Sequence, residues 1–349
     1  MPALTTLRLR ATAFGAALFG IALSPAHAMN INVTYDSSLT GQANAAAIQT
    51  AFETVVGYFE AAIANPIDVN ICVGWGKVCT TNISAGNVGE TRISSAGTFN
   101  YATTVANLLA GGVTATLPLT NPTGKNLIMP MAQAKALGMT GLPTPTYDAM
   151  IGFSSTLAFK QFNPLVSPLL AYDFMGVAKH EIEHALGRLS GLLGATPLIA
   201  YASDIYRYTA VGVNSYSYSA AAYASVDGGT TVLGTYNNSP SGADRVDWKA
   251  PGTTKNAQNA TLETGKDYCL STADQRLLGG LGYKFTAAAA NLYVSGADCA
   301  PLGADAAAFA AFPLSLTSVP EPTTIGLLAA GAVSLGVIRR RRRGGTPAQ

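Results

Sequence analysis

The 349-residue chain is 48% hydrophobic and only 11% charged, so it can form a sizeable core in one large domain or two small ones. Its formal net charge is +2, but seven of its 21 basic residues are Arg8, Arg10 and Arg339 to Arg343. Residues 29–318 hold 14 basic and 18 acidic residues, so there is no basic patch to support binding to nucleic acid. The low charged fraction is more typical of a secreted protein than of a cytosolic one.

Residues 1–28 have the three parts of a secretory signal peptide. Arg8 and Arg10 supply the positive charge, and an apolar run follows from Ala11 to Leu23. Ala26-His27-Ala28 is then a cleavage site of the A-x-A type. Because the apolar run is too short for a permanent membrane anchor, we expect cleavage and a mature chain that begins at Met29.

The mature chain opens with a strand, helix, strand pattern. Alternating polar and apolar residues predict strands at 31–35 and 67–71, and apolar residues at helical spacing predict a helix over 44–64. A helix of this length between two strands predicts a βαβ-type opening. Further patterns predict helices near 100–110, 131–138 and 272–281, and strands at 127–130, 149–154 and 216–226.

The segment from Phe174 to Gly187 contains the pattern H-E-x-x-H, as His180, Glu181 and His184. Residues four apart lie on the same face of a helix, so both imidazoles can reach one metal ion, while Glu181 can take a proton from metal-bound water. The chain has 3 histidines, and with His27 in the signal peptide the mature chain keeps only these two. The alternative is that the motif binds no metal and consists of two ordinary helical histidines beside a helix-forming glutamate.

A catalytic zinc normally has three protein ligands, and no third histidine remains in the mature chain. Asp173 is better explained as the helix cap and Asp227 as an ordinary turn residue, while Glu183 has poor reach to the same ion. Asp204 lies 20 residues past His184, which leaves enough chain to finish the helix and return. We therefore predict Asp204 as the third ligand; the alternative is that it caps a second helix.

The four cysteines are an even number in an exported chain, which favours two disulfides. The pairings local in sequence are Cys72–Cys79 and Cys269–Cys299, and two other connectivities remain open. A zinc site is a weak alternative because no C-x-x-C pair occurs.

The C-terminus combines Pro320-Glu321-Pro322, an apolar run from Ile325 to Ile338 and five arginines. The run is short for a membrane span of about 20 residues, but the positive end that follows it suits a membrane-associated tail. This three-part pattern resembles the PEP-CTERM sorting signal of Gram-negative bacteria. The resemblance implies export, transient membrane retention and processing by an exosortase.

The helix segment Asp173 to Arg188 resembles the zincin metallopeptidases, in a branch that often carries such tails. The resemblance implies a zincin-like α+β fold over residues 29–315, with a mixed sheet, an active-site helix and bound Zn²⁺; residues 316–349 form the tail. In that branch an Asp, Tyr and Arg segment follows, which points to Tyr206, Arg207 and Tyr208 as candidates for stabilising the oxyanion. The chain departs from the metzincins, whose third ligand would fall on Ser190.

The leading functional hypothesis is an exported zinc endopeptidase that acts on peptide or protein substrates. In this hypothesis His180, His184 and Asp204 hold zinc, and Glu181 is the general base. The strand at 149–154 is a candidate edge strand for pairing with an extended substrate, with ordinary packing as an equally good alternative. The competing hypotheses are a surface or biofilm-matrix protein with a structural metal or none, and a zinc hydrolase that does not cut peptides.

Overall fold

In this computed structural model, the structure describes residues 28–162, 167–239, 244–249 and 255–294. All of them belong to the unit Met1–Cys299. The tail from residue 316, Cys299 and the predicted signal peptide up to residue 27 lie outside the described residues. Within the described ranges, no helix combines the length and the apolar character needed to cross a bilayer.

Helices and strands are mixed along the chain. The α-helices are α1 (Ser37–Thr40), α2 (Ala45–Ala62), α3 (Tyr101–Ala110), α4 (Met131–Ala136), α5 (Phe174–Ala185), α6 (Thr272–Gly280) and α7 (Ala289–Leu292), and 3₁₀ helices cover Pro168–Leu170 and Ala202–Tyr206. The strands are β1 (Asn30–Tyr35), β2 (Asp68–Trp75), β3 (Lys77–Val78), β4 (Thr81–Asn82), β5 (Gly89–Ile93), β6 (Ser95–Phe99), β7 (Leu127–Pro130), β8 (Ala149–Phe153), β9 (Ala200–Tyr201), β10 (Arg207–Ala210), β11 (Val213–Asn214), β12 (Tyr223–Ala224), β13 (Gly234–Thr235), β14 (Leu270–Ser271) and β15 (Tyr293–Val294).

The sheet that carries the site has the strand order β1-β2-β8-β5. The strands β1, β2 and β8 run parallel, and β5 pairs antiparallel with β8 at the edge. The predicted βαβ opening is confirmed, because β1 and β2 are parallel neighbours and α2 connects them. The edge-strand prediction is wrong, since the segment predicted at 149–154 is β8, which has a neighbour on each side, and the edge strand near α5 is β5.

Aromatic residues join α5 to this sheet. Phe174, the first residue of α5, lies 4.6 Å from Phe153 of β8 between ring centroids and 6.4 Å from Trp75 of β2. Phe52 of α2 contacts the same Phe153 ring at 5.9 Å. Such aromatic pairs contribute about 0.5–1.5 kcal/mol each beyond the burial of their area. The cluster therefore fixes the start of α5 against the sheet.

The end of α5 is equally well defined. Gly187 has φ of +107°, a backbone conformation that residues with a Cβ rarely adopt, and it directly follows the helix's last turn. The chain therefore turns sharply, so that Arg188 lies back against the helix.

The other predicted elements divide into confirmed and corrected ones. Helices form at α3, α4 and α6, and Ser271 caps α6 as one half of a capping box with Asp274. The strand predicted at 216–226 is mostly wrong, because only Tyr223–Ala224 pairs. The disulfide Cys72–Cys79 is confirmed, whereas Cys299 of the second predicted pair falls outside the described residues.

Candidate metal site

A cavity of about 410 Å³ opens between the edge of the sheet and α5. Its walls come from residues 86–91, which include the start of β5, from one face of α5, and from segments 244–247 and 259–262. His180, Glu181 and His184 all line it, so the structure brings the whole H-E-x-x-H motif to one cavity.

The two histidines point their Nε2 atoms at the same place, 2.8 Å apart. The Nδ1 atom of His180 donates to the carbonyl oxygen of Ala257 at 2.7 Å, and Nδ1 of His184 donates to that of Arg188 at 2.6 Å. Burial lowers the pKa of His180 to about 3 and that of His184 to about 4, so both rings are neutral near pH 7. With the proton on Nδ1, each Nε2 keeps a bare lone pair, as a metal ligand requires.

Asp247 completes a group of three possible ligands, with one ligand atom from each residue and all three atoms within 4.8 Å of one another. Its carboxylate oxygens lie 3.6 Å from Nε2 of His184 and 3.9 Å from Nε2 of His180. The residue is buried, and its Oδ1 has no hydrogen-bond partner within the part of the chain that the structure describes. Burial and repulsion from Asp244 raise the pKa of Asp247 well above its usual value. An unpaired buried carboxylate is costly, and a cation between it and the histidines would remove that cost.

These observations fit a metal ion at this point. Two imidazole nitrogens and one carboxylate oxygen form a donor set typical of catalytic zinc, which leaves a further position for water or substrate. Asp244 lies nearby, with Oδ2 3.7 Å from Nε2 of His184, but its side chain is half-exposed and it does not belong to the group of three. The geometry thus distinguishes Asp247 from the acid three residues before it.

Glu181 lies beside the histidines and against β5. The Oγ1 atom of Thr91 donates to its Oε2 at 2.7 Å, which holds the carboxylate in one orientation. Burial raises the pKa of Glu181 to about 8, and the hydrogen bond from Thr91 opposes this shift. A divalent cation at the histidines would favour the ionised form, as a general base requires.

The structure does not bring Asp204, the predicted third ligand, into the group that contains the two histidines. Its Oδ1 accepts from Ser190 Oγ at 2.6 Å, and its Oδ2 accepts from the backbone nitrogens of Gly191 and Tyr201, each at 2.9 Å. Asp204 therefore caps the 3₁₀ helix Ala202–Tyr206 and fixes the loop after α5. This is the alternative that the sequence left open, and among the described residues it is Asp247 that forms a possible ligand group with the two histidines.

The three residues predicted to stabilise the oxyanion do not line the cavity. The hydroxyl of Tyr206 donates to the carbonyl oxygen of Gly280, and Arg207 donates to that of Arg245 at 2.7 Å while its guanidinium stacks on Tyr236. Tyr208 is buried as well. These side chains hold the core together, and Tyr172, directly before the cap of α5, is the tyrosine that lines the cavity.

Comparison with known proteins adds one finding, at the other end of the chain. Residues 318–343 match the PEP-CTERM protein-sorting motif. The chain carries a PEP-CTERM sorting signal. Neither the curated proteins nor the solved structures include a match to this chain.

The sorting motif fixes the destination of the protein. It indicates a secreted protein that is targeted to the cell envelope of a Gram-negative bacterium and processed by exosortase-type machinery. This agrees with the sequence-based expectation of export. The disulfide Cys72–Cys79 is compatible with that destination, because disulfides persist in oxidising compartments outside the cytoplasm.

Proposed function

We propose that this protein is an exported zinc-dependent endopeptidase in which His180, His184 and Asp247 hold the metal. The observation that carries the proposal is the convergence of two bare Nε2 atoms, 2.8 Å apart, on a buried carboxylate oxygen for which the described residues offer no hydrogen-bond donor. Neutral histidines, both fixed by backbone carbonyls, and an unpaired aspartate form a preorganised set of ligands.

The surrounding elements support a zincin-like arrangement. The helix α5 carries both histidines, and β5 borders the same cavity as an antiparallel edge strand. An edge strand has unpaired backbone groups that can bind an extended peptide by adding a strand to the sheet. A peptide placed along β5 would cross the cavity in front of Glu181, which favours a peptide over a compact small molecule as the substrate.

The chain's own residues would divide the chemical work as follows. A bound zinc ion supplies a Lewis acid that makes water a nucleophile near neutral pH. Glu181 accepts the proton of the attacking water on its carboxylate and passes it to the leaving amine, while Thr91 keeps that carboxylate oriented. Tyr172 is the candidate donor for the negative charge that develops on the substrate's carbonyl oxygen.

A surface or biofilm-matrix protein with the same sorting signal is the alternative. A structural metal site has no need for a general base, or for an open cavity at the metal. Here Glu181 lines a cavity of about 410 Å³ together with both histidines, and this favours catalysis. A zinc hydrolase with another substrate would share these features, so the substrate requires a direct test.

The test is hydrolysis of fluorescently labelled casein by the purified protein, before and after removal of metal with a chelator. We expect activity that the chelator abolishes and that stoichiometric zinc restores. Protein that binds one zinc ion per chain but leaves casein and a random peptide library intact would contradict the peptidase proposal. The structural-metal or non-peptidase alternatives would then stand.

A further inference from the structure

A buried ion pair, in which one arginine contacts two carboxylates, includes the residue whose backbone carbonyl accepts from His184. The side chain of Arg188 is fully buried, and its Nη1 lies 2.9 Å from Glu183 Oε2 and 2.5 Å from Asp274 Oδ1. Buried ion pairs rarely stabilise a fold more than well-packed apolar residues would, because both charges lose their hydration. The contacts of this pair point to a second role.

Arg188 contacts the surroundings of two of the three proposed ligands. Its carbonyl oxygen accepts the Nδ1 proton of His184. Its guanidinium lies 4.3 Å from the ring centre of Trp248 and donates to the carbonyl oxygen of Val246 at 3.3 Å. Val246 and Trp248 are the two neighbours of Asp247, so one arginine fixes His184 and the backbone that carries Asp247.

Asp274, at the start of α6, extends these connections. Its Oδ1 also accepts from Nε1 of Trp248 at 2.7 Å, and Trp248 directly follows Asp247 in the chain. Its Oδ2 accepts from Nδ2 of Asn256 at 2.7 Å. Asn256 precedes Ala257, whose carbonyl oxygen accepts the Nδ1 proton of His180. The segment that orients His180 is therefore tied to the same carboxylate.

We propose that Arg188 and Asp274 position all three metal ligands by joining α5 to the two separate segments that complete the site. This inference rests on the proposed metal site, but not on peptidase activity. The partners that orient metal ligands typically affect metal affinity by about 10–100-fold, because misoriented ligands must be reordered on binding. An Asp274→Asn substitution keeps the size of the side chain, but presents an amide where two donors now converge on Oδ1 and three on Oδ2.

Glu183 offers a matched control. It is a second buried carboxylate on the same arginine, and its Oε2 accepts from Arg188 Nη1 at 2.9 Å. Glu183→Gln therefore replaces a carboxyl by an amide beside the same guanidinium without breaking a hydrogen bond to Trp248 or Asn256. Any general effect of disturbing the ion pair will be present in both variants.

The experiment measures zinc affinity by competition with a chelating dye, and the visible absorption spectrum of the cobalt-substituted proteins. We expect Asp274→Asn to weaken zinc binding by about 10–100-fold and to shift the cobalt bands, because ligand geometry changes. Glu183→Gln should keep the wild-type affinity and spectrum. Wild-type values in Asp274→Asn, or equal losses in both variants, would overturn the proposal.

A second variant covers the case in which Asp274→Asn does not fold. Trp248→Phe keeps an aromatic ring against Arg188 but removes the Nε1 donor to Asp274, so a smaller loss of zinc affinity supports the proposal and an unchanged affinity overturns it. Wild-type protein that binds zinc but lacks peptidase activity would refute the proposed function alone. Wild-type protein that is active, with Asp274→Asn and Trp248→Phe indistinguishable from it, would refute this inference alone.

Discussion

Glu181 has one carboxylate oxygen held by Thr91 and lies in the wall of the cavity that contains both histidines. We expect Glu181→Gln to lower kcat on casein by about 10²-fold or more, because an amide cannot accept the proton of the attacking water. Zinc content should stay at the wild-type level. Glu183→Gln, two residues along the same helix, is the control and should retain activity. Equal rates for Glu181→Gln and wild type would exclude Glu181 as the base.

The identity of the third ligand can be tested by replacing each of three aspartates in turn. Asp247→Ala should weaken zinc binding by more than about 10²-fold, since even the outer partners of ligands affect affinity by about 10–100-fold. Asp244→Ala should have a smaller effect, because that side chain is half-exposed and outside the group of three. Asp204→Ala should lower the melting temperature and leave zinc affinity intact. Zinc titrations that rank Asp204 above Asp247 would contradict the assignment.

Tyr172 can be compared with a tyrosine that the sequence favoured instead. We expect Tyr172→Phe to lower kcat by about 10²-fold, as for the loss of one donor to an oxyanion, with an unchanged KM and zinc content. Tyr206→Phe removes a buried hydrogen bond to Gly280 and should reduce stability without affecting kcat. Kinetics on a short fluorogenic peptide would separate the two, and an unaffected kcat in Tyr172→Phe would remove it from the mechanism.

The sequence predicts the residues of this site that are close together in the chain, but not Asp247, which lies 63 positions past His184. His180, Glu181 and His184 lie on one helix, so local spacing is enough to bring them together. Asp204 and Asp247 look equivalent in the sequence, and only the hydrogen bonds distinguish them. Asp204 accepts hydrogen bonds from two backbone nitrogens and a serine, whereas none of residues 28–162, 167–239, 244–249 and 255–294 donates a hydrogen bond to Oδ1 of Asp247. No periodic pattern encodes that difference.

At the scale of elements, β5 and α5 meet at Gly89. A Cβ atom at this position would lie 2.8 Å from both Glu181 Cγ and Val177 Cγ1, and closer still to Glu181 Oε1. Gly89→Ala should therefore displace the Glu181 carboxylate, and an error of about 1 Å in such a group can cost about 10²-fold in rate. We expect lower kcat with unchanged zinc content.

Gly57 provides the control for this substitution. It is exposed on α2, and an added Cβ would meet no atom within 4 Å. Gly57→Ala should leave activity unchanged and raise stability by about 0.5–1 kcal/mol in denaturant titrations, because glycine is unfavourable inside a helix. A fully active Gly89→Ala variant would show that β5 does not constrain Glu181.

The helices and strands also show which sequence patterns are sufficient to predict local structure and strand pairing. Apolar residues at helical spacing gave α2 nearly to its ends, and the short connections around it fixed β1 and β2 as parallel neighbours. The order of strands in the sheet was less accessible, because β5 pairs with β8, about 60 residues farther along the chain. Because β5 pairs with β8, the strand that we predicted from the sequence to be an edge strand has a neighbour on both sides.

The whole molecule combines an envelope-sorting motif with a proposed metal site whose ligands lie in a different part of the sequence. The sorting motif occupies residues 318–343, whereas the proposed ligands lie between residues 180 and 247. The excess of acidic over basic residues in the body gives no basic surface that would attract it to anionic lipids. Removal of residues 318–343 is therefore expected to release the protein from the membrane.

Removal of zinc should affect stability as well as activity, because the metal would connect α5 to a segment 63 positions farther on. A ligand at about 1,000 times its dissociation constant stabilises the folded state by about 4 kcal/mol. For a domain of this size that corresponds to about 10 °C in melting temperature. Thermal unfolding with excess chelator should show this decrease, and added zinc should reverse it. Asp247→Ala should melt near the chelated wild type and respond to neither reagent, so a zinc-dependent shift of wild-type size in that variant would mean that zinc binds elsewhere.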